Sequence, residues 1–79
     1  MSTNDKFYPY IGLTRITEIA GCIYETQVYV NINSIVSLEP SIYDNDRCIV
    51  SLTNGSTIKS KESYSEVVSL IQSRYFNNN

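Results

Sequence analysis

With 79 residues, 42% of them hydrophobic and 18% charged, the chain is long enough for one folded domain and too short for two. Six basic and eight acidic residues give a net charge of -2 without a run of like charges, which disfavours binding to duplex nucleic acid. No stretch approaches the roughly eighteen apolar residues of a membrane span, and Met1 to Asp5 is polar without an apolar signal-peptide core behind it. We therefore expect a folded cytoplasmic protein that makes no membrane contact.

The N-terminal part predicts a tail followed by one long strand. Residues 1–6 are expected to form a flexible tail, and the aromatic lead-in Phe7 to Tyr10 contains Pro9. Proline cannot donate a backbone hydrogen bond, so this lead-in is not expected to be a central strand. From Ile11 to Ile19 apolar and polar residues alternate with the period of a strand. Ala20 and Gly21 then predict a turn.

A second strand is predicted from Cys22 to Ile32, a segment rich in tyrosine, threonine, valine and isoleucine. Alternation divides its side chains between two faces. The face expected to join the core bears Tyr24, Thr26, Val28, Val30 and Ile32. The opposite face bears Ile23, Glu25, Gln27 and Tyr29.

Two shorter strands are predicted in the middle of the chain. Ile35 to Glu39 is followed by Pro40, which ends the strand because it lacks a backbone donor. A polar loop separates this strand from the next, which runs from Arg47 to Leu52.

The turn at Asn54 and Gly55 determines how the last strand pairs. A two-residue loop would place lysines opposite Val50 and Cys48, on the apolar face. A three-residue loop with Gly55 in the left-handed conformation instead pairs Val50 with Ile58. We predict the second register, because it keeps the lysines off the apolar face.

A capping box predicts the C-terminal helix. Ser63 and Glu66 have the Ser-x-x-Glu spacing in which each side chain satisfies a backbone N–H at a helix start. Helical spacing of the apolar residues that follow predicts a stripe that covers the sheet. The stripe consists of Tyr64, Val67, Val68, Ile71 and Tyr75, with Leu70 beside it. We expect the helix over residues 63–76.

Together these elements predict a single α+β domain: an antiparallel β-meander of four to five strands over residues 10–61, with one C-terminal α-helix packed on one face. One helix cannot cover both faces, and a bare apolar face on so small a domain favours association. The expected partners are further copies of this chain, as a dimer or higher oligomer, and another protein. The residues predicted to contact them are Tyr8, Tyr10, Arg15, Ile23, Tyr29, Ile49, Lys59 and Lys61.

No catalytic, metal-binding or cofactor-binding site is predicted. The chain has no histidine, which is the commonest general base. Cys22 and Cys48 are the only cysteines, and both lie in strand-like sequence. We expect reduced thiols in the core rather than a disulfide framework or a zinc site.

The order and spacing of several motifs resemble a known family from Leu13 to Ile71. These motifs are Leu13-Thr14-Arg15, Val30 to Pro40, Ile49 to Gly55, Lys61-Glu62-Ser63, Glu66-Val67 and Leu70-Ile71. They are similar to the short FlbD/SwrD family, named after genes near flagellar and swarming-motility loci. The resemblance implies strands followed by a C-terminal helix, and a non-enzymatic accessory protein. The aromatic extension and the longer first hairpin depart from typical members and favour a phage or mobile-element relative.

The sequence therefore predicts a non-catalytic accessory module that acts by protein–protein binding in the cytoplasm, that of the host cell if a phage encodes it. Two alternatives stay open. One is a phage-encoded inhibitor or small-ligand sponge of host defence, an oligomer with pockets lined by Arg15, Lys59, Lys61 or tyrosines. The other is a single-stranded nucleic-acid binder whose tyrosines stack on bases, although six scattered cations do not supply the basic groove this role requires.

Overall fold

The computed structural model describes residues 9–42 and 46–76, with side chains up to residue 74. It consists of five strands, one short 3-10 turn and one helix. These are β1 (Tyr10–Ile19), β2 (Cys22–Asn31), the 3-10 turn Ile32–Ser34, β3 (Ile35–Pro40), β4 (Cys48–Leu52), β5 (Thr57–Ser60) and α1 (Tyr64–Phe76). The predicted α+β fold, a five-stranded antiparallel sheet with one C-terminal helix, is confirmed. The predicted tail and the lead-in residues Phe7 and Tyr8 lie outside the described residues.

The strand order in the sheet is β2-β1-β5-β4-β3. Strands that follow each other in the chain pair within the β1–β2 hairpin and within β3–β4–β5. These two groups meet where Arg15 of β1 pairs with Ser60 of β5. As a result β2 and β3, which the 3-10 turn connects directly, form the two opposite edges of the sheet. The strand order therefore differs from that of the predicted meander, in which these two strands would be neighbours.

The β4–β5 turn has the predicted three-residue form. Val50 pairs with Ile58, so the predicted register is confirmed. The N–H of Gly55 donates to the carbonyl of Leu52 at 3.0 Å, and the N–H of Leu52 donates to the carbonyl of Ser56 at 2.9 Å. Gly55 has a φ of 89°, the left-handed conformation that a type I turn followed by a bulge requires.

We expect Gly55→Ala to lower the free energy of unfolding by about 1 kcal/mol or more, because residues with a Cβ are strained at this φ. No atom lies within 4 Å of the position a Cβ would take, so the cost is conformational rather than steric. Ala20 is the matched control, since it already holds a positive φ of 51° in the β1–β2 turn. Ala20→Gly should raise stability by about 0.5 kcal/mol. Equal urea midpoints for all three proteins would contradict the assignment of both turns.

The hydrophobic core lies between one face of the sheet and α1. We call this face the inner face. Its buried side chains, together with Val67 of α1, form one cluster: Ile11, Leu13, Val30, Ile32, Cys48, Val50, Ile58 and Val67. Leu70 and Ile71 of the helix pack against the same cluster. Tyr64 was predicted to belong to the helix stripe, but its side chain is exposed because the first turn of α1 lies at the margin of the core.

The predicted capping box starts α1. The N–H of Ser63 donates to Glu66 Oε1, and the N–H of Glu66 donates to Ser63 Oγ, both at 3.2 Å. Near the other end of the helix, Arg74 Nε donates to the carbonyl of Tyr10 at 2.9 Å. Both ends of α1 are therefore held by specific hydrogen bonds, the second of them to the start of β1.

The prediction that this face of β2 joins the core is wrong for the first half of the strand. Val30 is buried and Val28 is half-buried, but Tyr24 and Thr26 are exposed. Cys22 is exposed as well, so of the two predicted core thiols only Cys48 is buried. Burial raises the pKa of the Cys48 thiol, and a hydrogen bond with the backbone of Glu39 lowers it by less. Alternation along β2 is as predicted. The difference is that none of the described elements covers this end of the strand.

Candidate functional site

The β1–β2 hairpin extends beyond the rest of the sheet. Its strands pair continuously from Tyr10↔Asn31 to Ile19↔Cys22, whereas β5 pairs with β1 only at Arg15↔Ser60. The hairpin contributes to the elongated shape of the molecule, which measures 46 × 24 × 20 Å. Every residue from Glu18 to Gln27 is exposed. This segment therefore carries apolar side chains into solvent.

The side of the sheet that faces away from the core bears the predicted contact residues of β2, β4 and β5. We call it the outer face. Tyr29 and Ile23 are 67% and 59% exposed. Ile49 pairs with Lys59, and both are half-buried at the middle of the sheet. Ile23 and Tyr29 are the exposed large apolar side chains of β2 on this face, two strands away from Lys59. They are about 20 Å apart along the strand, with Glu25 and Gln27 between them.

Tyr29 lies across a glycine of the neighbouring strand. It pairs with Gly12 of β1, and a Cβ at Gly12 would come within 3.3 Å of Tyr29 Cε1 and 3.0 Å of Gln27 Nε2. The missing side chain at Gly12 therefore leaves room for the tyrosine ring over β1. A glycine in a strand interior often marks such a close approach, and this signal was present in the sequence.

An ion pair lies beside these apolar side chains. Lys61 Nζ is 3.2 Å from Glu25 Oε2, and both side chains are about half exposed. An exposed pair contributes little to stability. Glu25 lies between Ile23 and Tyr29 along β2, so this pair places charges between the exposed apolar side chains of the outer face.

The remaining predicted contact residues are dispersed. Tyr10 is partly exposed at the start of β1, on the outer face. Arg15 is exposed but projects from the inner face of β1, on the same side as Leu13. Tyr8 lies outside the described residues. The structure therefore places Ile23, Tyr29 and the Lys61–Glu25 pair on one face of the hairpin, along about 20 Å of β2, and does not unite the predicted residues in one patch.

Arg15 belongs to a separate groove with a volume of about 290 Å³. The groove lies between the hairpin and the β4–β5 turn. Its polar lining includes Arg15, Tyr29, Asn31, Ser34 and Asn54, and its apolar lining includes Val28, Leu52 and Ile58. One cation beside amide and hydroxyl groups is chemically suited to a small polar or anionic molecule.

Glu62 has a structural role that the sequence analysis did not identify. Its carboxylate accepts hydrogen bonds from the N–H of Thr14 at 2.8 Å, from Thr14 Oγ1 at 2.9 Å and from Ser60 Oγ at 2.8 Å. The Lys61 N–H donates to the Thr14 carbonyl at 2.8 Å just before it. The carboxylate therefore continues the β1–β5 pairing after β5 has ended.

The hydrogen bonds of Glu62 also determine its ionisation. Burial by itself raises the pKa of this carboxyl group, but the donors from Thr14 and Ser60, together with the backbone of Glu62, lower it by more. The pKa consequently lies below its usual value, and the group is held as a carboxylate. A carboxylate held in this way links β1 to the end of β5.

Within residues 9–42 and 46–76, no group of three or more cysteine, aspartate or glutamate side chains is arranged to hold a metal ion. The same residues contain no helix with the length and apolar character needed to cross a bilayer. No protein-family model, curated protein or solved structure matches the chain.

Proposed function

We propose that this chain is a non-catalytic interaction module, active as a dimer or higher oligomer, which binds another protein through the outer face of its β1–β2 hairpin. The observation that supports this most strongly is the exposure of Ile23 and Tyr29 on one face of a strand that pairs with β1 along its whole length. A partner that lies along β2 would contact both side chains, and large exposed apolar side chains favour contact with a partner over contact with water.

The chemistry of the outer face suits a protein partner. Tyrosine combines a large apolar ring with a hydroxyl group and is common in interfaces. Tyr29 is also pre-positioned over Gly12, so little side-chain entropy remains to be lost on binding. Glu25 and Lys61 supply charges between Ile23 and Tyr29. Such a surface selects a partner by the order of its apolar and charged contacts.

The composition of the chain supports a role without catalysis. It has no histidine, and Cys48 is a buried thiol whose pKa burial raises, away from the reactive range. The resemblance to the FlbD/SwrD family supports an accessory protein, and the departures from that family support a phage or mobile-element origin, with action in the host cytoplasm.

Capture from host cells tests this proposal. We expect tagged wild-type chain to retain a specific host or phage protein, and the double variant Ile23→Ser/Tyr29→Ser to lose it, with the Kd of the purified pair rising about tenfold or more. The matched control is Val36→Ser/Ile42→Ser, which removes two equally exposed apolar side chains elsewhere. The molar mass of each variant is measured in parallel, so that loss of the partner is separated from loss of self-association. Identical recovery by all three proteins, or recovery of the bait alone, would contradict the proposal.

The Arg15 groove supports a second candidate function, a small-ligand sponge. Arg15 and Tyr29 line the same groove, whereas Lys59 and Lys61 are not part of its lining. A small anionic ligand such as a nucleotide would pair with Arg15 through a phosphate group and hydrogen-bond to the asparagine and serine residues of the groove. Native mass spectrometry with nucleotides, using Arg15→Gln as the comparison, tests it. Bound mass that is lost in Arg15→Gln supports the candidate, and the absence of bound mass rejects it.

A further inference from the structure

Within residues 9–42 and 46–76 no strand pairs with the outer edge of β2, which presents backbone groups at regular spacing. Ala20 and Gly21 both have positive φ, at 51° and 81°, which is the type I′ geometry of a two-residue hairpin loop. The residues on either side of such a loop form a hydrogen-bonded pair, and the pattern then alternates along the ladder. The backbone N–H and C=O groups that point away from β1 are therefore those of Ile23, Glu25, Gln27 and Tyr29.

Hydrogen bonds on the far side of β1 agree with this alternation. Thr14 pairs with Gln27. Its N–H donates to Glu62 and its carbonyl accepts from Lys61, so both groups point away from β2. The backbone groups of Gln27 must likewise point away from β1, toward the edge of the sheet.

The β2 edge lacks the features that usually protect an edge strand. Such strands are normally short, or carry lysine, proline or a bulge. β3, at the opposite edge, has six residues, a proline at its end and an irregular register between Ile35 and Ser37. β2 has ten residues, no lysine, no proline and a continuous register with β1. Its single charge, Glu25, already pairs with Lys61.

We propose that β2 pairs edge to edge with β2 of a second copy, in antiparallel orientation, about a two-fold axis at Thr26. This deepens the oligomeric state proposed above, on which it rests. Two five-stranded sheets then become one continuous sheet, and the same edge serves both copies, as closed two-fold symmetry requires.

The side chains of β2 favour this register over its neighbours. Centring on Thr26 places Ile23 opposite Tyr29 of the partner subunit and Glu25 opposite Gln27 of the partner subunit, so apolar meets apolar and polar meets polar. Centring on Glu25 would place two carboxylates opposite each other, which is destabilising. Centring on Gln27 would place Ile23 opposite an asparagine and Glu25 opposite a tyrosine. A second copy is thus complementary to this edge in polarity and places no like charges opposite each other.

Cysteine cross-linking tests the register. With Cys22→Ser as background to remove the exposed native thiol, we expect Thr26→Cys to form a covalent dimer with oxidised glutathione. Directly opposed residues at a non-hydrogen-bonded position have Cα atoms about 4.5 Å apart, within the range of a disulfide. Tyr24→Cys is the matched control, because four residues of offset separate the two cysteines by about 13 Å. Equal cross-linking of both variants would overturn the register.

Opposite charges at one position test the contact without a cross-link. Residue 27 of each copy lies opposite Glu25 of the other copy, so the dimer contains two such contacts. Gln27→Glu places a carboxylate at both contacts, and Gln27→Lys places an ammonium group at both. We expect the first to raise the dimer Kd about fivefold and the second to lower it by a similar factor, measured by analytical ultracentrifugation in low salt. Indistinguishable Kd values for the two variants would overturn the proposal.

The oligomeric state of the wild-type chain distinguishes the β2–β2 contact from the broader proposal of self-association. A molar mass of twice the 9.0 kDa chain mass, with selective Thr26→Cys cross-linking, supports the β2–β2 contact. A dimer without that selectivity retains the oligomer but rejects the β2 edge. A monomer rejects both the β2–β2 contact and self-association. If the monomeric wild type captures a host protein and the Gln27→Pro variant does not, an extended segment of that protein occupies the edge instead.

Discussion

Glu62→Gln is expected to lower the free energy of unfolding by about 2 kcal/mol at pH 7, since hydrogen bonds to a charged acceptor contribute about 1.5 to 3 kcal/mol. The Glu62 carboxylate accepts from Thr14 N–H, Thr14 Oγ1 and Ser60 Oγ. A glutamine amide keeps one acceptor oxygen and turns an NH2 group toward the donors. Equilibrium urea unfolding of both proteins measures the difference. Glu18→Gln, which removes the same charge from an exposed position of β1, is the matched control and should change stability little.

The effect of Glu62→Gln should depend on pH in a defined direction. Because the pKa of Glu62 is lowered on folding, its contribution is fully present above the unfolded-state pKa of about 4.3. The contribution is lost as the pH falls through the lower pKa of the folded state. The stability gap between wild type and variant should therefore be constant from pH 7 to about 5 and shrink below about 4. A gap that persists unchanged at pH 3, or that is absent at pH 7, would contradict the role of the carboxylate.

Val67→Asp is expected to unfold most of the protein at room temperature. Val67 is fully buried between α1 and the sheet, in contact with the core cluster. An unpaired carboxylate there costs several kcal/mol, comparable with the roughly 3 to 5 kcal/mol that a core of this size supplies. Thermal unfolding followed by circular dichroism measures the loss.

Two further variants make the Val67 prediction specific. Ser69→Asp adds the same charge on the exposed side of the same helix and should leave the melting temperature nearly unchanged. Val67→Ala should reduce stability by about 2 kcal/mol without unfolding the chain, because it removes buried methyl groups and leaves a small cavity. A cooperative, wild-type-like melt of Val67→Asp would show that the helix does not complete the core.

These two sites connect stability to the proposed binding surface. Glu62 links β1 to the end of β5 by hydrogen bonds, and β1 is the strand that pairs with β2. Val67 closes the inner face, which leaves the hairpin edge and the outer face exposed. Variants at these positions should therefore weaken self-association only through unfolding, whereas changes at Gln27 act on the contact itself.

Local chemistry was sufficient to predict several features from the sequence. Gly55 and the alternation on either side of it predicted the Val50↔Ile58 register, and Ser63 with Glu66 predicted the helix start. Such signals are readable because the interacting groups lie within a few residues, so turn geometry and capping leave few alternatives.

The exposed half of β2 could not be predicted from its own pattern. Alternation assigned Tyr24 and Thr26 to the same face as Val28 and Val30, and that assignment of faces is correct. Whether a face is buried depends on what lies against it. Among the described residues, the helix that covers the inner face packs mainly on β1, β3 and β4, so Tyr24 and Thr26 at the far end of the hairpin stay exposed.

The sequence by itself determined the strands, the two glycine turns, the capped helix and the side of each strand on which a residue lies, because these follow from contacts between near neighbours. Only the tertiary structure decided that β1 joins β5, that Glu62 fastens onto Thr14 across 48 residues, and that β2 is left as a long open edge. The physical reason is that non-local pairing depends on the packing of the whole domain, and a period-two pattern does not specify which strand lies beside another.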